Sequence, residues 1–129
     1  MCFRHLLLLL LALACVAPAL AADGQAFSEQ EFVLTPVQVK KLTNEALDGS
    51  GKAALRLSRF YSNVVTNLDE AMKWAIIGAE NGDANCQYTA YAFLDRRMSS
   101  EDRRRAIFWL KKAADQGYQP AIEHIRNSQ

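Results

Sequence analysis

Two tryptophans 35 residues apart, Trp74 and Trp109, sit inside the same short pattern. The first copy reads Ala71-x-x-Trp74, then Ala79-Glu80-Asn81-Gly82 and Cys86. The second reads Ala106-x-x-Trp109, then Ala114-Asp115-Gln116-Gly117 and Ala121, and the same offset of 35 registers every position. Self-similarity at such a period marks a stack of helical units, each able to bury its apolar face only against its neighbours. Trp74, Gly82, Trp109 and Gly117 are therefore expected to be structural positions of the repeat. The expected fold is all-α, a short solenoid of antiparallel helix pairs. Arrays of this kind typically bind other proteins.

Glycines punctuate the chain. Gly49, Gly82 and Gly117 are each followed four residues later by a small side chain, Ala53, Cys86 or Ala121. A glycine relieves the left-handed conformation at a helix end, and the small residue lets the next helix approach closely. Together with Thr35-Pro36, a cap followed by proline at the first helical position, this predicts six helices near 36–47, 52–62, 68–81, 84–95, 101–116 and 119–127. Asn67 and either Ser100 or Asp102 are the expected caps of the third and fifth. The apolar stripes agree: Ala106, Trp109, Leu110, Ala113 and Ala114 recur at helical spacing, as do Ala71, Trp74, Ala75, Gly78 and Ala79.

The N-terminal residues read as an address. One Arg precedes the unbroken apolar run Leu6 to Val16, and Pro18-Ala19-Leu20-Ala21 supplies small residues for cleavage. That is the layout of a secretory signal peptide over residues 1–21, cut after Ala21 or one residue later. The run is too short for a comfortable membrane span, which needs about 20 residues. Acylation of Cys15, giving a lipoprotein, is the alternative; Ala12 stands where a lipobox usually carries Leu. Residues 22–35 form a tail and residues 36–129 the repeat domain.

Cleavage after Ala21 leaves fourteen Lys or Arg against fourteen Asp or Glu. This neutral balance does not suggest a nucleic-acid partner. Cys86 alone remains of the three cysteines, so no intramolecular disulfide can form. Stability has to come from helix packing.

The motifs Ala53-x-x-x-Leu57-Ser58-x-x-Tyr61 and Ala71-x-x-Trp74-x-x-x-Gly78-Ala79-x-x-Gly82 resemble the Sel-one-like (SEL-1-like) repeat, a relative of the tetratricopeptide repeat. Ala106 to Ala121 resembles the second half of another unit. Its first half, Cys86 to Leu94, departs from the pattern with Cys for the opening Ala, Tyr91 for a usual Gly and Leu94 for a usual Tyr. The loop after it is expected to be two residues longer. The resemblance implies a right-handed stack with a concave face used as an interaction adaptor. Secreted bacterial members are similar to envelope-stress, host-interaction and effector-immunity proteins. A cysteine-rich subset that binds β-lactams pins each unit with a disulfide, and this chain lacks those cysteines.

Chemistry has little to stand on. His124 is the only histidine after Ala21, so neither a Ser–His pair nor a two-His metal site can be assembled. Cys86 reads as a packing residue and His124 as packed at a helix edge beside Ala121 and Ile125. Gly49-Ser50-Gly51-Lys52 lacks the spacing of a phosphate loop. No catalytic residue, metal site or cofactor is expected.

Two faces are candidates for a protein partner. Projection at 100° per residue turns Leu55, Arg59, Tyr88 and Tyr91 away from the packed stripes, onto the expected concave face. Tyrosines there are good interface anchors; alternatively, Tyr91 covers the longer loop and Tyr88 packs on the neighbouring helix. The second face is basic. From Asp95 to Lys112 seven cations oppose three acids, a local +4. Phe108 falls among Arg104, Arg105 and Lys112, suited to an acidic partner or an anionic membrane surface, or else to a plain solvated face. Finally, Ile76 and Ile77 replace the Lys111 and Lys112 of the other copy. The tail bearing Phe27, Phe32, Val33 and Leu34 is predicted to lie across them.

The expected protein is thus a monomeric, non-catalytic interaction module, periplasmic or secreted. An immunity protein neutralising an envelope-targeted toxic effector is one alternative, and a small-molecule binder or enzyme another.

Overall fold

The computed structural model describes residues 32–128, so the expected leader, Cys15 and most of the tail, Phe27 included, lie outside the described residues. Six helices follow one another: α1 (Pro36–Leu47), α2 (Gly51–Asn63), α3 (Leu68–Glu80), α4 (Ala84–Asp95), α5 (Ser100–Asp115) and α6 (Gln119–Asn127). Local chemistry sets their ends. Thr35 and Gln38 form a reciprocal capping box before α1, and Ser50, Asn67 and Asp83 each accept a hydrogen bond from the third helical N–H. Ser99 caps α5, rather than Ser100 or Asp102: its Oγ accepts from Asp102 N–H at 3.0 Å and donates to the Asp102 carboxylate at 2.8 Å.

Three helices close on one repeated turn. Gly49, Gly82 and Gly117 have φ of +104°, +88° and +81°. The residue after each donates its N–H back to Glu45, Gly78 or Ala113, the six-to-one bond of a Schellman ending. The small residues that follow the turns, Ala53, Cys86 and Ala121, are all buried. Cys86 packs against Gly78, where an added Cβ would come within 2.9 Å of Cys86 Cβ and 3.1 Å of Ala54 Cβ. Gly78 is thus required by the close approach of α3 to α4.

α2 with α3 and α4 with α5 form the two full units; α1 and α6 are half-units at the ends. The core divides accordingly. Trp74 packs with Leu34, Leu42, Ala46, Ala53, Ala54 and Leu57, while Trp109 packs with Ala79, Cys86, Ala90, Leu94, Ala113 and Ala121. A polar ladder ties successive units. Asn81 Nδ2 donates to the Ala46 carbonyl at 2.8 Å. Gln116, at the same register before its glycine, donates to Gln87 Oε1 at 2.7 Å, and Gln87 Nε2 donates to the Ala79 carbonyl at 3.3 Å. The second rung reaches the equivalent carbonyl through an intervening amide.

Two sequence expectations need correction. The turn between α4 and α5 is no longer than that between α2 and α3; the extra residues lengthen α5, which has 16 residues against 13 in α3. Ser99 starts that helix early because it can cap it. Nor do the described tail residues lie across both isoleucines. Ile77 packs with Leu34, Val39 and Leu42, so α1 covers it, whereas Ile76 belongs to the other cluster, with α4 and α5 residues. Leu34 alone of the described tail joins the Ile77 cluster; Val33 is 57% exposed, and Phe32 and Val33 line a cleft with Asn63 and Val64.

Candidate interaction faces

The opening helices α2, α4 and α6 carry the first face, the concave side in stacks of this kind. Leu55 and Arg59 on α2 and Tyr88 on α4 are half-buried, as expected for side chains that leave the packed stripe yet stand beside the next helix. Tyr91 does not join them as an exposed anchor. It is 8% exposed, and its hydroxyl lies 2.7 Å from His124 Nε2 on α6. The reason is its register: Tyr91 stands where Ser58 stands in the first unit. Ser58 fits between α2 and α3 and donates to the Ala71 carbonyl at 2.8 Å. A tyrosine is too large for that gap and reaches the following helix instead. His124 is thus packed at the edge of α6, as expected, and its ring ties α6 to Tyr91.

Tyr118 is the residue that sequence reasoning missed. Ser50 and Asp83 occupy the same register and cap their helices, but Tyr118 makes no side-chain cap bond. Its ring packs at a tilt of 48° against Tyr88, centres 5.5 Å apart, and Tyr88 in turn lies 5.6 Å from Tyr91. The signal was present as an aromatic at a position where a cap is worth about 1 kcal/mol. Beside Tyr88, the exposed side of α4 holds a mainly apolar cleft of about 210 Å³ lined by Thr89, Ala92, Phe93 and Arg96.

Burial dominates the electrostatics of the titratable groups at this face. Burial raises the Tyr91 hydroxyl above its ordinary range, with Asp95 and Tyr88 adding to it. Burial likewise raises Tyr118, against the pull of the Arg59 guanidinium. Both remain neutral hydrogen-bonding groups. Burial, reinforced by Asp83, drives the Cys86 thiol far above the thiol range, so it is no nucleophile at neutral pH. Among the described residues no cluster of three or more His, Cys, Asp or Glu could hold a metal ion. Arg59 has no carboxylate within ion-pair distance among the described residues, which leaves its guanidinium able to receive one from outside.

The second face is the outer side of α5. Arg104, Arg105, Phe108 and Lys112 are all exposed there, as their register predicts. The Arg105 guanidinium and the Lys112 ammonium each lie 5.8 Å from the Phe108 ring centre, and Phe108 meets Trp109 edge-on at 4.8 Å. The two faces lie on different helices, and no residue is shared between them.

Antiparallel helix pairs, joined by one repeated glycine turn and presenting a row of opening helices, define a short α-solenoid. The Sel1 repeat model matches residues 51–83 and 86–118, one opening and one closing helix in each span, and the chain belongs to the Sel1 repeat family. No curated protein and no solved structure gives a significant match. No helix among the described residues is long and apolar enough to cross a membrane.

Proposed function

We propose that this protein is a non-catalytic interaction module of the periplasm or the extracellular space, and that it grips a protein partner on the face of α2, α4 and α6. The observation that carries the reading is Tyr118. At the start of α6 a tyrosine makes no side-chain cap bond and instead packs its ring against Tyr88 beside the α4 cleft. Large aromatics that are already held in place lose little entropy on binding. Arg59 adds a cation at the same face that no carboxylate among the described residues pairs, and the family's use of such stacks as adaptors agrees with it. The leader-like residues 1–21 support export.

The test is a pull-down from envelope extract with the full chain as bait. An Arg59→Glu/Tyr88→Ala variant is compared with a control altered on α1, Lys40→Glu. One stoichiometric partner, lost with the first and kept by the second, is the expected result. A partner that survives the Arg59/Tyr88 change places binding elsewhere and removes this reading.

A further inference from the structure

The opening helices of the two full units carry different chemistry at the same register. Cys86 stands where Ala53 stands, so Lys52, Arg56 and Arg59 of α2 correspond to Asn85, Thr89 and Ala92 of α4, and Leu55 to Tyr88. All three charged positions of the first unit are uncharged in the second, so an opening helix does not need cations there to be solvated. With Leu55 the three fall within about 100° of the helix surface, opposite the buried Ala54 and Leu57. Residues 49–68 hold these cations and no carboxylate. Lys52 and Arg56 are exposed and Arg59 is half-buried, and none lies within ion-pair distance of an acid among the described residues. Asp83 stands against α2 at Gly51, but its carboxylate is engaged in capping α4, where it accepts from the Cys86 N–H at 2.8 Å.

We infer that α2 receives an acidic segment of the protein partner, its carboxylates lying along Lys52, Arg56 and Arg59 and a neighbouring apolar side chain entering the α4 cleft. The inference rests on the reading of the α2–α4–α6 face as the partner site, and adds the chemistry and direction of what binds there. Arg59 is the join. Its guanidinium is near enough to the Tyr118 hydroxyl to oppose the rise that burial causes. Tyr118 packs on Tyr88, which lines the cleft with Thr89, Ala92 and Phe93. Acids enter this face beyond the tyrosines, Asp95 next to Arg96 in sequence and Glu123 three before Arg126, so the excess positive charge is that of α2. Guanidiniums favour carboxylates, which they can grip with paired N–H donors. Lys52 to Arg59 spans about 10 Å along the helix, the length of about three residues of extended chain. The equal numbers of cations and acids after Ala21 favour a short acidic stretch over a polyanion such as nucleic acid.

Selection from a random peptide library on the full chain tests it, followed by fluorescence anisotropy with one enriched peptide. Enriched peptides should carry an excess of Asp and Glu beside an aromatic or aliphatic residue. Lys52→Glu/Arg56→Glu should weaken binding of the chosen peptide by roughly tenfold or more. Arg104→Glu/Lys111→Glu, the same charge change on α5, should weaken it by less than about threefold, with far-UV circular dichroism alike for both variants. Tyr88→Ala should weaken it without altering its salt dependence. Enriched peptides with no acidic excess, or equal losses from the α2 and α5 pairs, overturn the inference; if those peptides are still lost with Tyr88→Ala, the partner site itself stands. Equally tight binding of a labelled oligothymidylate, lost with the α2 pair, also overturns it and makes α2 a nucleic-acid surface.

Discussion

The unit built from α2 and α3 and the unit built from α4 and α5 share their turns, their buried tryptophan and their small-residue seam, yet differ wherever a neighbour differs. Gly78 faces Cys86 in one, and Ala113 faces Ala121 at the corresponding place in the other, so a volume added on one helix is removed from the next. Ser58 bonds across its own pair, whereas Tyr91 leaves its pair for α6. Ile77 is covered by α1, and Lys112 in its register lies open. The lesson is that the pattern residues set the geometry of a pair, and the residues between them record what the pair is stacked against.

The largest effect should come from exchanging the covered and open positions. Ile77→Lys puts an ammonium into the Leu34–Leu42 cluster and should cost about 2 kcal/mol in urea unfolding. Lys112→Ile, the mirror change, should move stability by less than about half of one. Equal effects would mean that coverage is not what separates the units.

The Gly78–Cys86 seam gives the next. Gly78→Ala should cost about 1–2 kcal/mol, crowding outweighing the gain in helix propensity. Combined with Cys86→Ala, which installs the alanine pair of the other unit, it should recover most of that loss. Strictly additive effects of the two changes would show that the side chains do not compete for one volume.

The smallest effect separates the units by pH. The buried Cys86 thiol keeps its proton well above the ordinary 9.0, while the unfolded chain releases it there. Folded stability is therefore full below that value and declines as pH rises through it, by about 1 kcal/mol near pH 9.5. The raised Tyr91 and Tyr118 hydroxyls steepen the decline above 10.0. Cys86→Ala should delay its onset toward the tyrosine range. An unchanged profile would mean that the thiol titrates alike in both states.

Much of this molecule was legible from residue order alone, because its determinants are short-range. Six helices, the Thr35 and Asn67 caps and the three glycine turns follow from hydrogen bonds made within a few residues, and the stripes bearing Trp74 and Trp109 from helical period. The basic outer face of α5 was legible for the same reason: exposure there depends on register within one helix. Tyr91 was not, since its burial depends on His124, 33 residues later. Nor was Tyr118, whose value lies in a ring 30 positions earlier on α4. Ile76 and Ile77 were seen to need cover, but only the packed stack assigned one to each side of α3. Local patterns determine which elements form and where they stop. Which side chain fills a gap is decided by the volume and polarity of neighbours from other turns of the stack, and those are brought together only when the helices pack.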